Sequence, residues 1–154
     1  MTTMTAQTTQ VYSVFIRATP EQVWDAITKP EFTTKYFYGT KIESSFEPGT
    51  PYLSIAGDRD ETLVDGEILE SDPPRTLRHT WRALYDLETA EEPHSRVTWE
   101  IEAQEGGVTK LTVTHDQLEA APKTAEGVAG GWMYVLSGLK TLLETGEPLS
   151  NGSM

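Results

Sequence analysis

The chain has 154 residues, of which 37% are hydrophobic, and its 12 basic and 24 acidic residues give a formal net charge of −12. A chain of this length fits one domain and can bury roughly 70% of its unfolded surface, so we expect a true core. An acidic surface repels phosphate backbones, which argues against nucleic-acid binding, and the absence of cysteine excludes disulfides, thiolate nucleophiles and cysteine metal sites.

The ends of the chain and its hydropathy predict its location. No apolar run approaches the roughly 20 residues of a transmembrane helix. The polar start, MTTMTAQTTQ, lacks the basic and apolar regions of a signal peptide. We therefore predict a cytoplasmic protein without membrane insertion. We further predict a disordered tail over residues 1–10, one domain over 11–147 and a flexible tail over 148–154.

The first elements are a strand and two short helices. VYSVFIRA is rich in β-forming residues and predicts a strand. Thr19 and Gln22 form a capping-box pattern, which predicts a helix over TPEQVWDAI. Pro30 opens a second short helix, in which Phe32 and Tyr36 lie four residues apart on one face.

Six further strands are predicted between residues 40 and 116. Their sequences are TKIESSF, PYLSIA, ETLVDGEILES, RTLRHTWRALY, RVTWEIEAQ and VTKLTVTHD. Short turn-forming links between them indicate an antiparallel meander. Gly66 inside the third of these strands indicates a bulge or a close backbone approach.

The last predicted element is a long helix near the end of the chain. Its apolar residues recur at helical spacing and form one stripe: Trp132, Val135, Leu136, Leu139, Leu142 and Leu143. Gly130 and Gly131 stand at its start, where we expect them to permit close contact beside the two short helices. We also expect Leu136 and Leu139 to point into space above a curved sheet, and Leu142 and Leu143 to pack more tightly.

Strand alternation assigns one apolar and aromatic face to the sheet, which the long helix is expected to cover. On three strands that face carries Leu77, His79, Trp81, Val97, Trp99, Ile101, Leu111, Val113 and His115. The predicted fold is therefore α+β, with helices on one side of an antiparallel sheet of six to seven strands.

Three stretches, TPEQVWDAITKPEFTTKYF, GEILESDPPRTLRHTW and GWMYVLSGLKTLLE, resemble single-domain bacterial relatives of the Hsp90-ATPase activator in the START-like (SRPBCC) superfamily. The resemblance runs from about Val11 to Glu147 and implies a helix-grip fold, in which a curved sheet wraps around a long C-terminal helix. It also implies a hydrophobic cavity between sheet and helix, entered past the short helices. The superfamily includes polyketide cyclases and pollen allergens. The co-chaperone's separate N-terminal domain has no counterpart in this sequence, so Hsp90 activation is not carried over.

Under this fold, the aromatic and apolar residues of the inner face are candidates to line a cavity for a small hydrophobic molecule, either aromatic, such as a polyketide, or lipid-like. The predicted ligand-binding set is Trp24, Phe32, Tyr36, Tyr52, His79, Trp81, Trp99, Val113, His115, Trp132, Leu136 and Leu139. Each of these residues can equally be ordinary core.

His79 and His115 are the sharpest polar feature of the inner face. A buried histidine can orient a ligand or act as an acid or base near neutral pH, and it can also be structural when neighbours satisfy its nitrogens. No histidine spacing of a metal site occurs, so no metal or cofactor is predicted.

Three functions fit these patterns. The first is binding of a small hydrophobic molecule, by a protein that is a monomer or homodimer. The second is an enzyme of the cyclase or hydrolase kind, with a histidine or tyrosine as acid or base. The third is a protein-interaction module of the co-chaperone kind, which would need a large apolar patch outside the sheet.

Overall fold

Seven antiparallel strands form one curved sheet in a computed structural model that describes residues 8–150. The order across the sheet is β1-β7-β6-β5-β4-β3-β2, so β2 to β7 form a meander and β1 returns to pair with β7. The strands are β1 (Gln10–Ile16), β2 (Thr40–Glu43), β3 (Pro51–Ala56), β4 (Thr62–Asp72), β5 (Thr76–Ala83), β6 (Ser95–Ala103) and β7 (Thr109–Asp116). Residues 1–7 and 151–154, which hold most of the two predicted tails, lie outside the described residues.

In the described part of the chain, five helices accompany the sheet: α1 (Pro20–Thr28), α2 (Pro30–Tyr36), α3 (Leu87–Ala90), α4 (Pro122–Val128) and α5 (Gly131–Thr145). The predicted capping box begins α1. The Thr19 hydroxyl accepts from the Gln22 amide, and the Gln22 side chain accepts from the Thr19 amide. None of the described helices is long and apolar enough to cross a membrane.

Two of these helices were not predicted. The acidic loop after β5 contains α3, a single turn whose cap is the Asp86 side chain. The stretch PKTAEGV forms α4, which begins at Pro122 and buries Ala125 and Val128. Small residues and threonine give α4 no apolar stripe, and this is why its pattern did not indicate a helix.

The inner face of the sheet is the one that alternation predicts. Its residues on β5, β6 and β7 are 5% exposed or less: Leu77, His79, Trp81, Val97, Trp99, Ile101, Leu111, Val113 and His115. Together with the buried faces of α1, α2 and α5 they form one continuous core. The α+β helix-grip prediction is confirmed, with seven strands around α5.

Close contact between α5 and its neighbours occurs in the middle of the helix. A Cβ atom on Gly138 would lie 3.1 Å from the Cβ of Tyr36 in α2, whereas one on Gly130 would meet nothing within 4 Å. A Cβ on Gly131 would be in ordinary contact, 3.4 Å from the Tyr38 hydroxyl. The prediction that Gly130 permits a close approach is therefore wrong. Helices α5 and α2 approach each other further along α5, at Gly138.

Gly66 lies on β4 in close contact with the backbone of the neighbouring strand β5. A Cβ atom there would stand 1.9 Å from the carbonyl oxygen of Thr80. The Thr80 hydroxyl also accepts a hydrogen bond from the Glu67 amide at 2.8 Å. The predicted close backbone approach is confirmed, and the pairing register of the two strands shifts shortly afterwards, between Ile68 and Glu70.

Candidate ligand-binding site

An apolar cavity of about 320 Å³ lies between the sheet and the first turn of α5. Its floor comes from strands β3 to β5 and from the loop that follows β5: Ser54, Leu63, Val64, Trp81 and Tyr85. Its walls come from the segment after α2, with Phe37, Tyr38 and Thr40, and from α4 and α5, with Gly127, Val128, Gly131, Trp132 and Val135. We call this space the apolar cavity.

Three aromatic rings pack against one another beside this space. The Phe37 ring is stacked on Trp81 with centroids 6.3 Å apart, and it meets Trp132 edge-on at 5.9 Å. Trp81 and Trp132 lie 5.6 Å apart. Such packed rings form a stiff wall, because aromatic side chains have few rotatable bonds and bury large areas.

A second space, of about 630 Å³, lies on the other side of Tyr38 and Leu63, which line both. We call it the mixed cavity, because its lining includes Lys35, Asp58 and Arg59 beside Tyr36. Arg59 is held by two carboxylates, at 2.8 Å from Asp58 and 2.7 Å from Glu61. The mixed cavity is therefore lined by charged as well as apolar side chains, and the two cavities differ in chemistry.

Helix α4, which forms one wall of the apolar cavity, is held at both ends by hydrogen bonds. The Glu92 carboxylate accepts from the Lys123 and Thr124 amides, both at 2.9 Å, at the start of α4. From β1, the Tyr12 hydroxyl donates to the Ala129 carbonyl at 2.8 Å. These bonds fix Gly127 and Val128 opposite the sheet floor, so the cavity has defined walls.

His79 is completely buried and forms a hydrogen-bonded pair with Trp99. The Trp99 indole N–H donates to its Nε2 at 3.0 Å. Since an indole can only donate, Nε2 carries no proton, and Nδ1–H donates to the Thr80 carbonyl at 2.9 Å. Burial lowers the pKa of His79 to about 4, so the ring is neutral near pH 7.

His115 forms a second hydrogen-bonded pair, with Trp132, and its ring is the opposite tautomer to that of His79. The Trp132 indole donates to Nδ1 at 3.0 Å, so Nε2 carries the proton and donates to the Ser95 hydroxyl at 2.7 Å. Ser95 in turn donates to the Trp81 carbonyl at 3.2 Å. Burial, and then repulsion from His79, lower the pKa of His115 to about 3. The pair holds the Trp132 ring in place at the cavity wall.

Of the predicted ligand-binding set, Trp81 and Trp132 line the apolar cavity and Tyr36 lines the mixed cavity. The other nine line neither of these two spaces: Trp24, Phe32, Tyr52, His79, Trp99, Val113, His115, Leu136 and Leu139. Both histidines have every ring nitrogen in a hydrogen bond within the core, which is a structural environment. Within residues 8–150, no three potential metal-ligating side chains group together.

The expected space above the middle of α5 is filled. Leu139 is completely buried in the core and Leu136 is 4% exposed, whereas Leu143 is only partly buried. That packing prediction is wrong, because Leu136 and Leu139 are both buried in the core and Leu143 is the less buried residue. The open space lies instead at the first turn of the helix.

Sequence reasoning missed several residues of the cavity wall. Val128 belongs to the unpredicted helix α4, and Phe37 follows α2 at a bend where Tyr38 takes a positive φ of 54°. A signal existed for Ser54, because alternation in PYLSIA places it on the same face as Tyr52 and Ala56.

The fold and the cavity define an α+β helix-grip domain with an apolar space between its sheet and its C-terminal helix. The chain belongs to the family described as Activator of Hsp90 ATPase homolog 1-like protein, whose sequence pattern matches residues 17–144. Among curated proteins, none matches this sequence.

Solved structures share the fold along nearly the whole chain. Protein MLL2253 from Mesorhizobium loti is 25% identical, with a TM-score of 0.72 over 88% of this chain and 96% of that one. PFC0360w, an HSP90 activator from Plasmodium falciparum, is 21% identical, with a TM-score of 0.73 over 90% and 97%. DynU16, a putative protein in the dynemicin biosynthetic locus, is 23% identical, with a TM-score of 0.74 over 92% of this chain and 49% of that one.

Proposed function

We propose that this protein binds a small, flat, apolar molecule in the apolar cavity. The observation that carries the proposal is the cavity itself: about 320 Å³ of space bounded by Phe37, Trp81 and Trp132. Ligand sites of this size are typically apolar and aromatic, with few polar groups. We further propose that the protein is cytoplasmic and acts as a monomer or homodimer.

The contacts of His79 and His115 favour binding over an enzyme that uses either histidine as an acid or base. The histidines proposed as acid or base are neutral, buried and bonded on both nitrogens, and they do not line the cavity. The structural neighbours include an HSP90 activator and a protein of a biosynthetic locus, and at these identities they support the fold alone. A small-molecule ligand is the function that this chain's own geometry supports.

Filling the cavity is expected to remove ligand binding without unfolding the protein. Val135 lines the cavity and is 2% exposed, so a Val135→Trp side chain would occupy the ligand's space. We expect a loss of at least about tenfold in affinity for the neutral probe N-phenyl-1-naphthylamine. The cost in stability is expected to stay at or below the 1 to 3 kcal/mol that is typical of overpacking. Probe fluorescence and thermal melts measure the two effects.

The matched control is Met133→Trp, which adds the same indole to an exposed position two residues earlier on α5. It is expected to keep wild-type affinity. If Val135→Trp fails to fold, Val128→Phe fills the cavity from α4 instead. Equal probe affinity in wild type and the filled variants would contradict the proposal, as would a wild-type protein that does not bind the probe.

A further inference from the structure

The inner wall of the apolar cavity is nearly closed to solvent in this structure. Six of its lining side chains are 7% exposed or less: Phe37, Val64, Trp81, Val128, Trp132 and Val135. Water therefore barely reaches the surfaces that a ligand would contact, and a ring system is much larger than water. One wall has to move before such a ligand can enter.

Helix α4 is a wall with few apolar contacts to the rest of the domain. Val128 is its one residue in the continuous core, whereas Ala125 packs in a separate small cluster with Leu118 and Ala121. The opposite wall is held firmly, because five residues of α5 belong to the continuous core: Trp132, Val135, Leu136, Leu139 and Leu142. Segments with few buried apolar contacts open more readily than the core beside them.

Hydrogen bonds hold α4 in place instead. The helix has no side-chain cap of its own, and the Glu92 carboxylate caps it from the segment after α3. Glu92 accepts from the Lys123 and Thr124 amides, both at 2.9 Å, and from the Thr124 hydroxyl at 2.8 Å. Near the other end, Gln10 Nε2 donates to the Ala125 carbonyl at 2.9 Å. Hydrogen bonds to an ionised acceptor are the stronger kind, so Glu92 is the main polar attachment of α4.

Two glycines, Gly130 and Gly131, join α4 to α5. Ala129 and Gly130 both keep helical backbone angles, with φ of −57° and −95°, so one helix follows the other directly. A Cβ atom on Gly130 would meet nothing within 4 Å, so close packing does not account for a glycine there. Glycine weakens a helix relative to alanine and allows its backbone more conformations. The junction is therefore suited to act as a hinge.

We propose that α4 is a lid of the apolar cavity, which turns about Gly130 and Gly131 to admit the ligand and is held closed by the Glu92 carboxylate. This inference rests on the proposed function and adds how entry to the site is controlled. Opening separates the α4 amides from Glu92 and moves Val128 away from the ligand space, while α5 stays in place. Glu92 is thus a positioning residue, which acts on the ligand only through α4.

The rates at which N-phenyl-1-naphthylamine enters and leaves the cavity test the lid, and stopped-flow fluorescence measures them. Glu92→Gln replaces the ionised acceptor with a neutral amide. We expect it to raise both the association and the dissociation rate constants by about fivefold to tenfold, with the dissociation constant changed by less than about twofold. The hydrogen bonds are weakened in the free and the bound protein alike, so the barrier falls and the affinity stays. A role only in shaping the wall would change the affinity instead.

Gly130→Ala tests the hinge from the opposite direction. Gly130 lines neither cavity, and the added methyl group has open space. Alanine stiffens the junction, so we expect both rate constants to fall by about threefold with the affinity unchanged. If Glu92→Gln fails to fold, this variant decides alone.

Glu126→Gln is the matched control, because it removes the same charge from an exposed position of α4. It should keep the wild-type rates. Wild-type rates in Glu92→Gln and Gly130→Ala, or an affinity loss in Glu92→Gln without faster association, would overturn the lid while probe binding itself stands. So would a rate change that Glu126→Gln shares. If the wild-type protein does not bind the probe, the proposed function fails and the lid falls with it.

Discussion

Replacing Gly66 with alanine is expected to destabilise the protein by about 4 kcal/mol or more, the range of exceptional single substitutions. The added Cβ would lie 1.9 Å from the Thr80 carbonyl oxygen and 2.7 Å from its carbonyl carbon. Both atoms are backbone, so β4 and β5 would have to separate to admit a methyl group. Such a loss is a large part of the 5 to 15 kcal/mol that stabilises a typical domain. Urea denaturation followed by circular dichroism measures it.

Gly127→Ala is the matched control for this substitution. Gly127 lies in α4, and a Cβ atom there would meet nothing within 4 Å. The same chemical change is expected to stabilise the protein by about 0.5 to 1 kcal/mol, because alanine favours the helix. A Gly66→Ala variant within about 1 kcal/mol of wild type would contradict the described strand pairing.

Acid is expected to destabilise the protein through its two buried histidines. Their folded pKa values, about 4 for His79 and about 3 for His115, lie below the value of about 6.5 for unfolded histidine. The unfolded chain therefore binds more protons between pH 6.5 and pH 3. The stability from the neutral rings is complete above pH 6.5 and is lost as the pH falls towards the folded values, by roughly 3 kcal/mol for His79 alone.

The slope of the unfolding free energy against pH in histidine variants distinguishes the contribution of these two rings from that of the carboxylates. Replacing either ring with glutamine, which keeps an acceptor and a donor, should reduce the slope between pH 6 and pH 4.5 by up to about 1.4 kcal/mol per pH unit. His94→Gln, at an exposed position, is the control. An unchanged slope in both His79→Gln and His115→Gln would show that these rings are not buried and neutral in the folded protein.

The fold could be predicted because its signals are local and periodic. Alternation along β5 to β7 identified the inner face, and the spacing of the apolar residues in α5 identified the helix that covers it. The capping box of Thr19 and Gln22 and the close approach at Gly66 were also visible, because each depends on particular residue types within a short stretch of sequence. These features need no knowledge of how distant segments pack.

The place of the cavity could not be predicted, because it depends on tertiary contacts between elements far apart in sequence. Gly138 lets the middle of α5 approach Tyr36 of α2, whereas the open space lies between the sheet, α4 and the first turn of α5. No periodic pattern in the sequence indicates either of these packing features. Alternation likewise placed His79 and His115 inside, but it could not show that Trp99 and Trp132 satisfy them.

The most direct test of the proposed site is a titration that follows the indole N–H signals of all four tryptophans by ¹H–¹⁵N NMR. Trp81 and Trp132 line the apolar cavity, whereas Trp24 is a partly buried residue of α1 and Trp99 donates a hydrogen bond to His79 in the core. With N-phenyl-1-naphthylamine added, the signals of Trp81 and Trp132 should shift in a saturable manner. The signal of Trp24 should stay in place. No shift of Trp81 and Trp132 at saturating probe, or an equal shift of all four signals, would contradict a ligand site in this cavity.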